Sequence, residues 1–288
     1  MERRYSPRTV SLYIGYITEF YDFIGPVEGE SEKDFISVST MRSFIAAEFD
    51  SGLSSRTINL KLSALSSYAD FLVKHGVVER NPLKRVQRPK ESKRLPEFYT
   101  LKAMDNYFVR ETDSEDILSY RDRMVVITIY ATGIRRAELA NLRIDDWDRS
   151  RSLFRITGKG DKMREVPVPD YLNMELARYL DVLKEYYPEN MGGYFFLTDA
   201  GQRMYLSFVN KIVKRELEGV EGLVGRKSPH LLRHSLATHL LNNGADLNSI
   251  KEVLGHSSLA ATQVYTHNSF EQLKKVFLTA HPRAKKGG

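Results

Sequence analysis

The sequence predicts a mainly α-helical protein of two domains, the second of which carries one small β-hairpin or sheet. Three observations lead there. Apolar residues recur at helical spacing through most of the chain. A stretch near residue 90, rich in proline and basic side chains, interrupts that pattern. A single segment near residue 160 alternates apolar and polar residues on either side of a Gly- and Asp-bearing turn. A chain of 288 residues exceeds the usual size of one domain and suits two, each able to bury a core.

The first third reads as helices. Ser6 and Pro7 form an N-cap and first-turn pair, after which Val10, Tyr13, Ile14, Ile17, Phe20 and Tyr21 follow at helical spacing. Thr40 can cap a second helix with Met41, Phe44, Ile45 and Phe49 on one face. Ser54 or Ser55 can start a third, in which Ile58, Leu62, Leu65, Tyr68 and Leu72 form a stripe ending near Gly76. Residues 1–83 are therefore expected to form a small all-helical domain. Residues 84–97 follow as a basic linker: Lys84, Arg85, Arg88, Lys90, Lys93 and Arg94 lie between Pro82, Pro89 and Pro96, a composition suited to a soluble hinge or to a tether across a phosphate backbone. Residues 98–288 form the second domain. Its hairpin is expected at 152–157 and 164–168 around GKGDK, and helices return from Ser228 onward.

Composition removes several function classes. Hydrophobic residues make up 42% and charged residues 28%, which suits neither a disordered chain nor a membrane protein. No apolar run approaches the roughly 18–20 residues needed to cross a bilayer, and MERRYSPRTVSLY has no apolar secretory core, so the expected location is cytoplasmic, with no membrane partner. The absence of cysteine excludes disulfides, thiolate catalysis and Cys-ligated zinc. A net charge of +6 is compatible with an anionic partner such as nucleic acid.

Four segments hold residues able to do chemistry. In TGIRRAEL a Thr132-Gly133 turn feeds a helix with Arg135, Arg136 and Glu138. In HLLRH, His230 and Arg233 lie three apart, share a helix face and can converge on one anion. In LGHSS, His256 sits in the turn between Gly255, which ends one helix, and Ser258, which caps the next. In ATQVYTH, Tyr265 follows His256 by nine residues. Taken singly, each has an ordinary structural reading; a tyrosine near Leu259 and Val264 is commonly a half-buried packing residue.

Together TGIRRAEL, GKGDKMREVPVP and the continuous run from HLLRH to YTH resemble the tyrosine recombinase (phage integrase) family, most closely its Xer-type site-specific recombinases. SSRTINLKLSALSSYADFL is similar, more loosely, to the family's helical core-binding, SAM-like domain. The resemblance implies an α+β catalytic domain in which Arg135, Lys159, His230, Arg233, His256 and Tyr265 are catalytic and Glu138 supports them. It implies cleavage of double-stranded DNA through a 3′-phosphotyrosine link, with no cofactor, no metal and no ATP. It further implies a homo- or hetero-tetramer on two DNA sites, the latter with a paralogous recombinase, and an accessory DNA translocase. The C-terminal helix, residues 270–280, would dock on a neighbouring protomer, a helix packed on its own core being the alternative. The chain begins almost directly at the helical domain, which favours a Xer-type enzyme that resolves chromosome dimers at a dif-like site over a mobile-element integrase or invertase.

The chemistry suits these residue types. Two guanidiniums, which stay protonated, can clamp the non-bridging phosphate oxygens, and His256 can add a hydrogen bond. Tyrosine is neutral at pH 7 and needs a base, for which His230 titrates in the right range; Lys159 can protonate the departing 5′-oxygen. Type IB topoisomerases use a similar set to relax supercoils, and a DNA-binding protein that never cuts would share the basic charge. A metallohydrolase is disfavoured because His234 and His239 are five apart, not the four that pairs zinc ligands on a helix.

Overall fold

The computed structural model describes residues 5, 7–25, 36–91, 97–110, 116–158, 163–189, 193–255 and 267–283, the side chains of 267–273 excepted. The chain divides into two compact units, residues 1–95 and 96–288.

In the first unit α1 (Pro7–Ile24), α2 (Val38–Asp50) and α3 (Ser55–Lys74) enclose Phe20, Met41, Phe44, Ile58, Leu62, Leu65, Ala69 and Leu72. These are largely the apolar stripes expected from the sequence, and each full burial of a Leu, Ile or Phe stabilises the unit by about 1.5–3 kcal/mol. Ser37, not Thr40, caps α2, its hydroxyl accepting the Thr40 backbone N–H at 3.1 Å; Thr40 sits in the first turn with its own hydroxyl against that of Ser37. Ser54 caps α3 through the Thr57 N–H. After α3, Pro82–Arg85 forms a 3-10 turn, Leu83 and Val86 join the core, and buried Asn81 donates to Asp70 at 2.8 Å.

Lys61 is a buried cation in this unit. It occupies the helical stripe of Ile58, Leu62 and Leu65 and forms ion pairs with Glu19 and Glu48. Burial alone would lower its pKa, but the two carboxylates more than offset this and hold it above its ordinary value. Its charge ties α1, through Glu19, and α2, through Glu48, to α3.

The second unit is organised around α5 (Ile117–Thr132), which is buried along nearly its whole length. Around it lie α4 (Leu101–Phe108), the short α6 (Arg136–Asn141), α7 (Asp170–Tyr186), α8 (Leu206–Glu216), α9 (Pro229–Asn242), α10 (Leu247–Leu254) and α11 (His267–Ala280). A three-stranded antiparallel sheet of order β1 (Trp147–Asp148), β2 (Leu153–Thr157) and β3 (Met163–Pro167) covers one side. The β2–β3 register pairs Leu153 with Pro167 and Ile156 with Arg164. Among the described residues no helix is long and apolar enough to cross a membrane.

The last helix packs on its own unit. Phe277 and Ala280 lie in the core, Asn243 donates to the Ala280 carbonyl at 2.8 Å, and just beyond the helix the His281 ring meets the Ala131 carbonyl through Nε2 at 3.1 Å. His281 Nδ1 accepts the Arg283 N–H, which fixes its neutral tautomer with the proton on Nε2. Burial, with smaller contributions from Arg283 and His239, pushes His281 down to about 3 against the pull of the Ala131 carbonyl; burial also lowers His239, which meets the Tyr130 hydroxyl at 2.8 Å. The unfolded chain binds a proton on each near pH 6.5, whereas the folded chain resists. Stability is therefore full above that value and falls as the pH drops below it, by about 1.4 kcal/mol per unit for a histidine that stays neutral. The urea midpoint should be lower at pH 5.5 than at pH 7.5, and His281→Gln should flatten that dependence. Equal pH dependence in the variant would contradict the buried neutral histidine.

Candidate active site

The candidate site forms where the α5–α6 turn, β3, α9 and the end of α10 meet. Gly133 ends α5 in the left-handed conformation, φ +65°, and its N–H closes on the Ile129 carbonyl. A Cβ there would stand 2.3 Å from Leu254 Cδ2 and 3.1 Å from Leu236 Cδ2, so the turn requires glycine for both conformation and space. Two residues later Arg135 opens α6. Its backbone N–H donates to Glu138 Oε2 at 2.7 Å and its guanidinium to Glu138 Oε1 at 2.8 Å.

Glu138 is the hub. Its side chain is only 6% exposed, and Arg164 grips both its oxygens, Nη1 to Oε1 at 2.8 Å and Nη2 to Oε2 at 2.7 Å. Burial would raise the Glu138 pKa, yet the hydrogen bonds and charges of Arg164 and Arg135 bring it below its ordinary value, so it is ionised at neutral pH.

Arg233 reaches the same place from α9, whose first turn is capped by Ser228 and contains Pro229. The Arg233 side chain is buried and donates to the Gly133 and Leu254 carbonyls. Burial first, then the neighbouring Arg135, pushes its pKa down to about 10, which still leaves it cationic at pH 7. Arg164 Nε meets the Val253 carbonyl at 3.1 Å, and Arg135 Nη2 meets that of Gly255. Three arginines from three elements thus hold three successive carbonyls at the C-terminus of α10, where the helix dipole favours positive charge. With Glu138 their only acidic partner at this point, the cluster keeps a surplus of two positive charges among the described residues. Such a surplus suits a phosphodiester.

His230 lies one helical turn before Arg233 on α9 and is exposed. Partial burial first, then the charges of His234, Arg233 and Arg226, lower its pKa, so it is neutral at pH 7 and able to accept a proton. Arg135, Glu138 and Arg233 are brought together, with His230 close by on the same helix as Arg233. Lys159, His256 and Tyr265 lie outside the described residues.

Sequence reasoning overlooked Arg164, although the signal was present. Arg164 shares its strand face with Val166 and Val168, both fully buried, and pairs across the hairpin with buried Ile156. A guanidinium at such an inward position needs a carboxylate partner.

Comparison with known proteins decides the family. The phage integrase family matches residues 101–272, and its N-terminal SAM-like domain matches residues 1–76. The chain belongs to the phage integrase family. This recombinase is 37% identical over 288 residues to the tyrosine recombinase XerC of Bacillus pumilus, an alignment covering 99% of this chain and 93% of that protein. It is therefore a site-specific tyrosine recombinase, an enzyme that breaks and rejoins DNA. Its fold is similar to that of the Tn1549 transposon integrase in complex with transposon right end DNA, with a TM-score of 0.70 at 16% identity, covering 95% of each chain. It is also similar to the XerH site-specific recombinase bound to a palindromic difH substrate, with a TM-score of 0.68 at 23% identity, covering 93% of this chain and 78% of that one.

Proposed function

We propose that this recombinase resolves chromosome dimers at a dif-like site by transferring DNA strands through a 3′-phosphotyrosine on Tyr265. The observation that carries the chemistry is the convergence of Arg135 and Arg233 around Glu138 and the end of α10, with His230 on the same helix as Arg233. Near full-length similarity to XerC-type tyrosine recombinases supports the Xer-type role over that of a mobile-element integrase.

In the proposed cycle, the Tyr265 oxygen attacks the scissile phosphorus and its proton passes to neutral His230. Arg135, Arg233 and His256 stabilise the charge on the non-bridging oxygens, each arginine contributing about 10²–10³ in rate. The bond to the 5′-oxygen breaks as Lys159 supplies that oxygen with a proton. The resulting ester keeps the energy of the original bond, so a 5′-hydroxyl from another duplex can attack it and restore a phosphodiester without ATP. Exchange of two strand pairs in turn requires four protomers on two sites, either copies of this chain or this chain with a paralogue, activated by an accessory DNA translocase. In that assembly α11 would leave its own unit for the equivalent groove of a neighbour.

A plasmid with two directly repeated candidate sites distinguishes this role from supercoil relaxation. Two separate circles should form, and only when both sites are present; relaxation of a one-site plasmid without circle formation would point to topoisomerase activity instead.

The acid assigned to Lys159 has its own test. Lys159→Ala should cleave ordinary DNA slowly and recover on DNA whose bridging 5′-oxygen is sulfur, a leaving group that needs little protonation. No recovery on that substrate would remove Lys159 from the acid role.

A further inference from the structure

We propose that Arg164 is a positioning residue of the DNA-cleaving site, holding Glu138 and the end of α10 so that Arg135 is presented to the scissile phosphate. The inference rests on the reading of Arg135 as part of the phosphate clamp.

All three nitrogens of the Arg164 guanidinium are engaged, two by the oxygens of Glu138 and one by the Val253 carbonyl. Its side chain is 15% exposed, against 41% for Arg135. Of the two arginines on this carboxylate, Arg164 is therefore the more buried and Arg135 the more exposed. Each Glu138 oxygen is shared, Oε1 between the Arg164 and Arg135 guanidiniums, and Oε2 between Arg164 and the Arg135 backbone N–H. Rotating this carboxylate would displace the backbone and the side chain of Arg135 together. Arg164 opposes that rotation from outside the Arg135 turn, because a planar fork fixes both oxygens at once, which the point charge of a lysine cannot do.

Arg164 acts on the other wall as well. Its stem and Nε lie beneath the turn that ends α10, where a Cβ on Gly255 would come within 3.0–3.2 Å of them. Gly255 also adopts φ +66°, so its glycine serves both the turn and the approach of Arg164. One side chain thus sets the orientation of Arg135 and supports the turn at Gly255.

The test compares Arg164→Ala, Arg164→Lys and Arg135→Ala in single-turnover cleavage of a nicked duplex, as the normal phosphodiester and with a neutral methylphosphonate at the scissile position. Arg164→Ala should bind the duplex within about twofold of wild type but cleave it about 10–100-fold more slowly, the effect of a misaligned clamp. Arg164→Lys should be intermediate, and it carries the comparison if the alanine variant does not fold. Because a neutral phosphonate has less charge to stabilise, the deficits of Arg135→Ala and Arg164→Ala should shrink together on it. If Arg135→Ala recovers and the Arg164 variants do not, or if binding and cleavage decline in parallel on both substrates, Arg164 is structural and the inference is overturned while the clamp stands. If Arg135→Ala cleaves ordinary DNA at the wild-type rate, the clamp reading itself has failed.

Discussion

The site depends on one buried carboxylate and the guanidinium fork that satisfies it. Arg135, Arg164 and Arg233 would repel one another if brought together alone, and an unpaired buried Glu138 would be equally unfavourable, costing about 3–5 kcal/mol. Glu138 and the carbonyl end of α10 resolve both difficulties. The carboxylate neutralises one charge, and the carbonyls of Val253, Leu254 and Gly255 each accept from a different arginine. What remains is a preorganised excess of positive charge, held by short connections to α5, α9 and β3. Preorganised charge of this kind stabilises phosphoryl transfer without reorganisation during the reaction.

The turn at Gly133 makes the arrangement compact. Its left-handed conformation lets the α5–α6 connection press against Leu254, and its carbonyl accepts from Arg233. The same few residues therefore link the Gly133 turn, the helix α9 that carries His230 and Arg233, and the end of α10. Arg135 also has a local reason to be where it is, since its backbone is capped by Glu138 within a helix of six residues. Local capping and long-range pairing use the same carboxylate.

Much of this was legible in the sequence. Helical stripes pointed to the first unit's core, the alternation around GKGDK to β2 and β3, and the family resemblance of TGIRRAEL and HLLRH singled out Arg135, Glu138, His230 and Arg233 as site candidates. The two-residue strand β1 was too short to leave a periodic signal. The cap of α2 was misplaced because Ser37 and Thr40 bond to each other, and either hydroxyl suits the role. Two charged residues that the sequence reading passed over sit in apolar registers. Lys61 lies in the same helical stripe as Ile58, Leu62 and Leu65, and Arg164 lies on the same strand face as Val166. A charged residue in an apolar register is a prediction of a buried partner, here Glu19 and Glu48 for Lys61 and Glu138 for Arg164.

The central claim is that this guanidinium cluster serves a tyrosine that becomes covalently joined to DNA. The most direct measurement is to trap the protein on a nicked duplex carrying its site, digest the complex and locate the attached nucleotide by mass spectrometry. The account predicts a nucleotide on Tyr265 linked through its 3′-phosphate, a free 5′-hydroxyl on the released strand, and no adduct with Tyr265→Phe. Attachment to another residue, a 5′-linkage, or an adduct that survives Tyr265→Phe would contradict it.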